Sequence, residues 1–313
     1  MSNIAKSAPG KIILFGEHAV VYGQPAIAVP VTQVQAKAIV RPDIKTKPGT
    51  IHIAAPQIDL NSPLADLPLD DALAQAVALT LEYLEIDKPP AFKLKISSTI
   101  PLAAGLGSGA AVSVAVIRAV GEFLGHVLDD ETVNNMVYEV EKLHHGTPSG
   151  IDNTVVTYAQ PVYFVRGQTI EIFSVPQSFT IVIGDTGVVS PTSITVGDVR
   201  SGWEAEPEKY DLLFDSIGEL SQKARQAIEL GETDVLGPLM DANHAHLVEM
   251  GVSSPELDNL VEAAWEAGAL GAKLSGGGRG GNMIALVRPE DADRIAQALI
   301  DSGATNTIIT RVS

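Results

Sequence analysis

The sequence predicts a protein of mixed α and β structure in two lobes, the first strand-rich and the second α+β. Three observations carry this reading. At 313 residues the chain exceeds the roughly 250–300 at which a single hydrophobic core stops growing. β-branched runs dominate its first part, whereas amphipathic helical periodicity fills residues 210–267. The composition is globular, 45% apolar and 19% charged, with no repeat and no low-complexity tract, and no apolar run approaches the roughly 18 residues of a membrane span.

In chain order, Lys11–Phe15 and Ala26–Val40 read as apolar strands, divided by the polar turn Gly16-Glu17-His18 and the break Gly23-Gln24-Pro25. Phe92–Ser97 alternates as a strand. Ala110–Leu124 and Asp130–His144 read as helices, with Asp129 or Asp130 placed to cap the second. Thr154–Val165 reads as a return to strand, and Phe179–Gly184 as another β-rich run. Tyr210–Leu230, Asp234–Met250 and Ser254–Ala267 are amphipathic helical segments, and the acidic stretch Glu204–Asp215 is a solvated face. A glycine-rich stretch, Gly271–Gly281, leads into strand Met283–Val287, helix Ala292–Asp301 and strand Thr305–Val312. A boundary near Pro176 would give lobes 1–176 and 177–313.

Composition excludes several function classes. With no cysteine there is no disulfide, thiolate metal site or thiol nucleophile, and the remaining strong ligands, His and carboxylates, favour hard cations. The N-terminal residues show neither a secretory nor a transit pattern, so a soluble, cytoplasmic protein is expected. A net charge of −17 repels nucleic acids and anionic membranes at long range. A phosphate ligand would have to be drawn by local cations such as Lys11, Lys273 and Arg279.

The most informative segment is Pro101-Leu-Ala-Ala-Gly-Leu-Gly-Ser-Gly-Ala-Ala111, a glycine-dense turn feeding an alanine-rich helix. Gly105, Gly107 and Gly109 can bring successive N–H groups close to an anion, and the helix start near Ser108 adds its unpaired donors and positive dipole end. It is not a Walker loop, because no Lys follows Gly109, nor a dinucleotide loop, because Ala110 stands where a third glycine is needed. Alone it would serve equally as a tight turn before a helix.

Other segments give it company. Lys11 opens a strand that closes on Glu17 and His18, a cation and a polar turn suited to a phosphate, a carboxylate or a small polyol, although a Lys at a strand start usually just snorkels. Glu141, in the last turn of a helix, and Asp152, beyond a Gly/Pro/Ser turn, can divide labour between holding Mg²⁺ and accepting a proton; the bland alternatives are an exposed helical Glu and a turn-capping Asp. The adjacent His144 and His145 read as structural. Ser275–Gly281 has almost no side chains to pack, so it is either a plain turn or a second backbone wall against phosphates or the first lobe.

Together these segments resemble the GHMP small-molecule kinases, over nearly the whole chain. The family's motifs occur in order: Pro9-Gly-Lys11 with Gly16-Glu-His18, Pro101–Ala111, and Lys273–Gly281. Galactokinases of the family carry a Thr-Asp pair where this chain has Ala19-Val20-Val21-Tyr22. His145–Asp152 and Asp241–Ser253 are similar to the branch that phosphorylates mevalonate. The resemblance implies an α+β, two-lobed GHMP kinase fold: an N-terminal ribosomal-protein-S5-like lobe with a left-handed βαβ unit and a C-terminal ferredoxin-like lobe, with ATP and substrate between them. It implies transfer of the γ-phosphoryl of ATP to the 5-hydroxyl of mevalonate, with Mg²⁺ as cofactor; the charge argues against a nucleic-acid or membrane partner, and homodimerisation is left open.

On the same resemblance, Asp152 is the catalytic base and Lys11 the cation beside the transferred group. Ser98, Ala103, Ala104, Gly105, Leu106, Gly107, Ser108 and Gly109 form the nucleotide cradle; Glu17, His18 and Thr192 contact substrate; Glu141 and Ser108 hold the metal. Phosphomevalonate kinase, mevalonate 3-kinase and mevalonate-phosphate decarboxylase activities are the near alternatives. A phosphorylated substrate would demand more cations than residues 11–23 provide. A catalytically silent binder is disfavoured because Lys11, Glu141 and Asp152 are all present. One departure stands out: where the family usually has two serines in the central loop, this chain has Ser108-Gly109, so Ser108 or a water must complete the metal.

Overall fold

The computed structural model of the chain describes residues 3–68, 70–101, 105–145 and 148–313, the side chains of 144 and 145 excepted. The elements in order are β1 (Ile4–Phe15), β2 (Ala26–Pro42), β3 (Ile51–Ala55), β4 (Leu60–Pro63), α1 (Ala72–Tyr83), β5 (Phe92–Ser98), α2 (Ser108–Phe123), α3 (Asp130–His145), α4 (Ile151–Tyr158), β6 (Val162–Phe164), β7 (Glu171–Ile172) and β8 (Phe179–Asp185). Then come α5 (Thr192–Ala205), α6 (Pro207–Leu230), α7 (Leu236–Glu249), α8 (Pro255–Glu266), β9 (Gly271–Ser275), β10 (Asn282–Val287), α9 (Ala292–Asp301) and β11 (Asn306–Val312). By packing, Val34–Leu102 and Leu106–Ala159 join the N-terminal residues through Gly10 in one compact unit, and Lys11–Gln33 joins Gln160–Ser313 in another. This partition differs from a single cut at Pro176 because β1 and β2 each give one half to each unit.

In the first unit the strands run β4-β3-β5-β2. β3 and β5 are parallel, Ile53 opposite Leu94, with α1 in the crossover, and β5 pairs antiparallel with β2. The alternation along β5 places Phe92, Leu94 and Ile96 in the core, and Phe92 meets Phe123 of α2 at 5.2 Å between ring centroids. α2 is apolar around most of its circumference, from Ala110 and Ala111 through Val114, Ile117 and Val120, as a central helix must be. Asp129, rather than Asp130, caps α3, accepting from the Thr132 amide at 2.7 Å.

The run expected to return to strand at Thr154 is instead α4, and only Val162–Phe164 is strand. Its β-branched composition favours strand, but tertiary satisfaction overrides propensity. Thr154 Oγ1 donates back to the Gly150 carbonyl at 2.7 Å, Asn153 Nδ2 donates to Asn134 Oδ1 on α3 at 2.7 Å, and Arg118 of α2 reaches the Thr157 carbonyl at 2.7 Å.

In the second unit an antiparallel sheet has the order β11-β8-β10-β9. In chain order β8 is followed by helices, then β9 and β10, then α9 and β11, so the βαββαβ alternation with its outer strands side by side is the ferredoxin-like arrangement. Its core includes Val182, Leu257, Leu260, Leu274, Ala285, Ile295 and Leu299. The N-terminal half of β2 pairs with β6 and β6 with β7. α5 was not expected from the sequence. Gly197 and Gly202 weaken its pattern, but Gly202 lets Tyr210 of α6 pack close, since a Cβ there would lie 2.3 Å from Tyr210 Oη. Gly271, the first residue of the glycine-rich stretch, starts β9 and lets the strand touch α7: a Cβ on it would lie 2.2 Å from the Gly237 carbonyl oxygen.

Candidate active site

The glycine turn that leads into α2 is described from Gly105 onward. Gly105 and Gly107 both have φ of 70°, which a side chain would strain, and Leu106 between them is buried as an anchor. No side chain caps α2 at Gly107 among the described residues, so the amides at the start of this 16-residue helix face whatever lies before it. Ser108 is half-buried as the first helical residue, and Ser98 Oγ accepts from the Ile100 amide at 3.0 Å, shaping the entry to the loop. Ala103 and Ala104 lie outside the described residues.

Packing of α3 on α2 brings a carboxylate to this helix start. Glu141 is buried, and a Cβ built on Gly109 would stand 3.5 Å from its Oε1. Asp152, half-buried, sits in the first turn of α4, where the helix dipole favours negative charge. Among the described residues no three His, Asp or Glu side chains converge as a metal cluster. A single buried carboxylate at a helix start is compatible with Mg²⁺, which takes one or two carboxylates and completes its octahedron with water and nucleotide oxygens.

The other predicted residues belong to the second unit, where β9 and the glycine stretch after it organise them. Lys11 is buried on β1 and keeps 8% exposure. His18 lies in the turn after β1 with φ of 60°, and its Nε2 is 2.9 Å from the Gly277 carbonyl oxygen. A carbonyl can only accept, so Nε2 carries the proton. Burial, aided by the Arg279 charge and opposed by the Gly277 bond, pushes the His18 pKa down to about 4. The ring is therefore neutral at pH 7 and Nδ1 is a bare acceptor, with no partner among the described residues. Thr192, the exposed first residue of α5, touches the same loop: its Oγ1 is 2.9 Å from where a Gly277 Cβ would be.

Glu17 is placed differently from a residue open to substrate. Its carboxylate is ion-paired with Lys273 of β9 and accepts from Asn243 Nδ2 of α7 at 3.3 Å, with both members of the ion pair almost wholly buried. Burial pushes the Lys273 pKa down while Glu17 opposes the shift. This corrects the expectation that Lys273 and Arg279 are local cations for phosphate: Lys273 neutralises Glu17, and Arg279 pairs with Asp198. The third glycine motif also faces inward. A Cβ on Gly278 would lie 2.0 Å from the Val252 oxygen, and one on Gly280 2.5 Å from the Val188 oxygen, so these glycines serve packing within their own unit.

One cation escaped the sequence reasoning. Arg166, after β6, donates from Nη1 to the Val21 carbonyl at 2.9 Å, joining the turn that follows His18 although it lies 145 residues away. Asn243 was missed likewise; the only signal was its place in the Asp241–Ser253 segment.

An uncapped, glycine-led helix start beside a carboxylate in one unit and a ferredoxin-like sheet in the other are the features expected of a small-molecule kinase of the GHMP type. The GHMP kinases N terminal domain matches residues 72–160 and the GHMP kinases C terminal domain residues 224–305. The chain belongs to the GHMP kinase family. Within it, the chain is similar along its length to mevalonate kinases: it is 39% identical to those of Thermococcus sibiricus and Pyrococcus abyssi, covering 99% of this chain and 96% of each relative. The crystal structure of the L. major mevalonate kinase in complex with R-mevalonate superposes with a TM-score of 0.85 at 31% identity, covering 99% of this chain and 95% of that one. The Methanococcus jannaschii mevalonate kinase structure gives 0.85 at 26% identity, with 99% and 98% covered.

Proposed function

We propose that this chain transfers the γ-phosphoryl group of ATP to the 5-hydroxyl of mevalonate, in the cytoplasm. The observation that carries the phosphoryl-transfer chemistry is the Glu141 carboxylate beside the uncapped start of α2. Ser98 and the loop from Ala103 to Gly109 cradle the nucleotide phosphates, with the α2 amides as donors. Glu141 and the Ser108 hydroxyl would hold Mg²⁺, which when bound neutralises charge on the phosphate oxygens.

Asp152 orients the 5-hydroxyl and accepts its proton as that oxygen bonds to the γ-phosphorus and the bond to the ADP oxygen breaks. Lys11 offsets the charge that develops on the transferred group. His18 Nδ1, a neutral acceptor, suits a substrate hydroxyl, Thr192 supplies a second polar contact, and Arg166 supplies a counter-charge for a carboxylate. Glu17 acts from behind, holding the turn through Lys273. A phosphorylated substrate would bring about two further negative charges, so Lys11 and Arg166 fit the unphosphorylated acid better.

A coupled ADP-release assay against mevalonate, the phosphomevalonates, galactose and homoserine tests this, with ³¹P NMR assigning the phosphorylated carbon. The expected result is turnover on mevalonate with phosphate on the 5-oxygen. Faster turnover on a phosphomevalonate, or phosphate on the 3-oxygen, would sink the proposal.

A further inference from the structure

Arg279 occupies a place that a glycine would fill more easily. Its φ is +56°, in the left-handed region, among glycines that share that preference. Three bonds leave it. Its amide donates to the Val252 carbonyl at 2.8 Å, its Nε donates to the Gly251 carbonyl at 3.3 Å, and its Nη1 pairs with the Asp198 carboxylate. Gly251 and Val252 follow α7, and Asp198 lies in the middle of α5. One residue thus ties the glycine loop, the turn after α7 and α5 together.

α5 has few other holds at its N-terminal end. Of its 14 residues only Thr195 and Val199 are buried, and Ile194 is 58% exposed. Its far end is better packed, with Gly202 against Tyr210 and Trp203 at 5.4 Å from Tyr22 between ring centroids. Yet the N-terminal end carries Thr192, which rests on Gly277, and Gly277 is also the partner of His18. The spacing of Thr192 from His18 therefore depends on a lightly held helix and on what fastens it to the loop.

We propose that Arg279 is a positioning residue for the substrate side of the reaction: by clasping Asp198 it holds the start of α5 so that Thr192 and His18 present a fixed pair of polar groups. This rests on the reading of Thr192 and His18 as substrate contacts. The clasp acts on binding of the acceptor and leaves the phosphoryl-transfer groups alone, so its signature is a change in KM for mevalonate with kcat and KM for ATP kept.

Steady-state kinetics on Arg279→Gly, Arg279→Lys, Asp198→Asn and the Arg279→Gly/Asp198→Asn pair test it, with thermal melts alongside. Arg279→Gly suits the backbone angle, so it is expected to fold. It should raise KM for mevalonate about tenfold with kcat within about twofold. Asp198→Asn should match it, the double variant should be no worse than either, and Arg279→Lys should recover most of the loss by keeping the charge opposite Asp198. Arg200→Ala, which breaks the exposed Arg200–Glu204 pair on the same helix, is the control and should leave KM unchanged. A KM within about twofold of wild type in Arg279→Gly, a lowered melting temperature without a KM change, or multiplicative losses in the double variant would overturn the proposal. Failure of the wild-type protein to phosphorylate mevalonate would instead overturn the underlying function.

Discussion

The Glu141 carboxylate stands 3.5 Å from where a side chain at Gly109 would begin, which makes these two positions one question about the metal. Gly109 is an ordinary helical residue without a positive φ, so a serine fits its backbone and would place a hydroxyl beside the carboxylate. Gly109→Ser should lower the Mg²⁺ concentration at half-maximal rate several-fold, and Glu141→Gln should raise it by more than about tenfold or abolish turnover. Rates against free Mg²⁺ decide this, and an unchanged response in Glu141→Gln would move the metal elsewhere. Asp152→Asn should retain both KM values while kcat falls by about 10²–10⁴, as expected when only an interaction of the transition state is lost. Near-normal turnover would remove Asp152 as the base. The sequence pointed to Glu141, Asp152 and His18 because each sits in a short motif. It did not point to Arg166, which meets the turn through a bond across 145 residues.

Elements show where local pattern stops being informative. β5 and α9 were legible because alternation or helical periodicity matches one buried face, and α2 because a long alanine-rich apolar run follows a glycine turn. α4 was not, since its β-branched run is helical only because Asn134, Gly150 and Arg118 satisfy it from outside. The glycine stretch after β9 was legible as close approach but not as to what approaches. Gly276 and Gly278 separate the two causes. Gly276 has φ of +89° with open space around its Cβ position, whereas Gly278 has φ of +76° and the Val252 oxygen at 2.0 Å. Gly276→Ala should cost about 1 kcal/mol of backbone strain, and Gly278→Ala about 3 kcal/mol or more, because backbone on both sides must shift. Urea unfolding of both variants measures the difference, and equal losses would mean that the contact with Val252 yields freely.

At the scale of the whole molecule, burial of His18 couples stability to pH. The unfolded chain takes up this proton near pH 6.5 and the folded chain only near pH 4. The unfolded state therefore binds more protons between those values, so stability is unaffected above about pH 6.5, falls as pH drops through the window, and stops falling below about pH 4. Between pH 7 and pH 5 the wild type should lose about 2 kcal/mol more than His18→Asn, a residue that also tolerates the positive φ. His244, whose pKa burial also lowers, remains in both proteins and cancels in the comparison. Equal pH dependence in the two would place the proton uptake elsewhere. The sequence by itself determined the family and most of the elements, because a glycine turn, a helix start and an amphipathic repeat are set by consecutive residues. Only the tertiary structure decided which charges are spent inside the protein. Lys273 looked like a phosphate cation until β9 brought it, across 256 positions, to the buried carboxylate of Glu17. A buried charge must find its partner wherever the fold supplies one, and no local pattern carries that address.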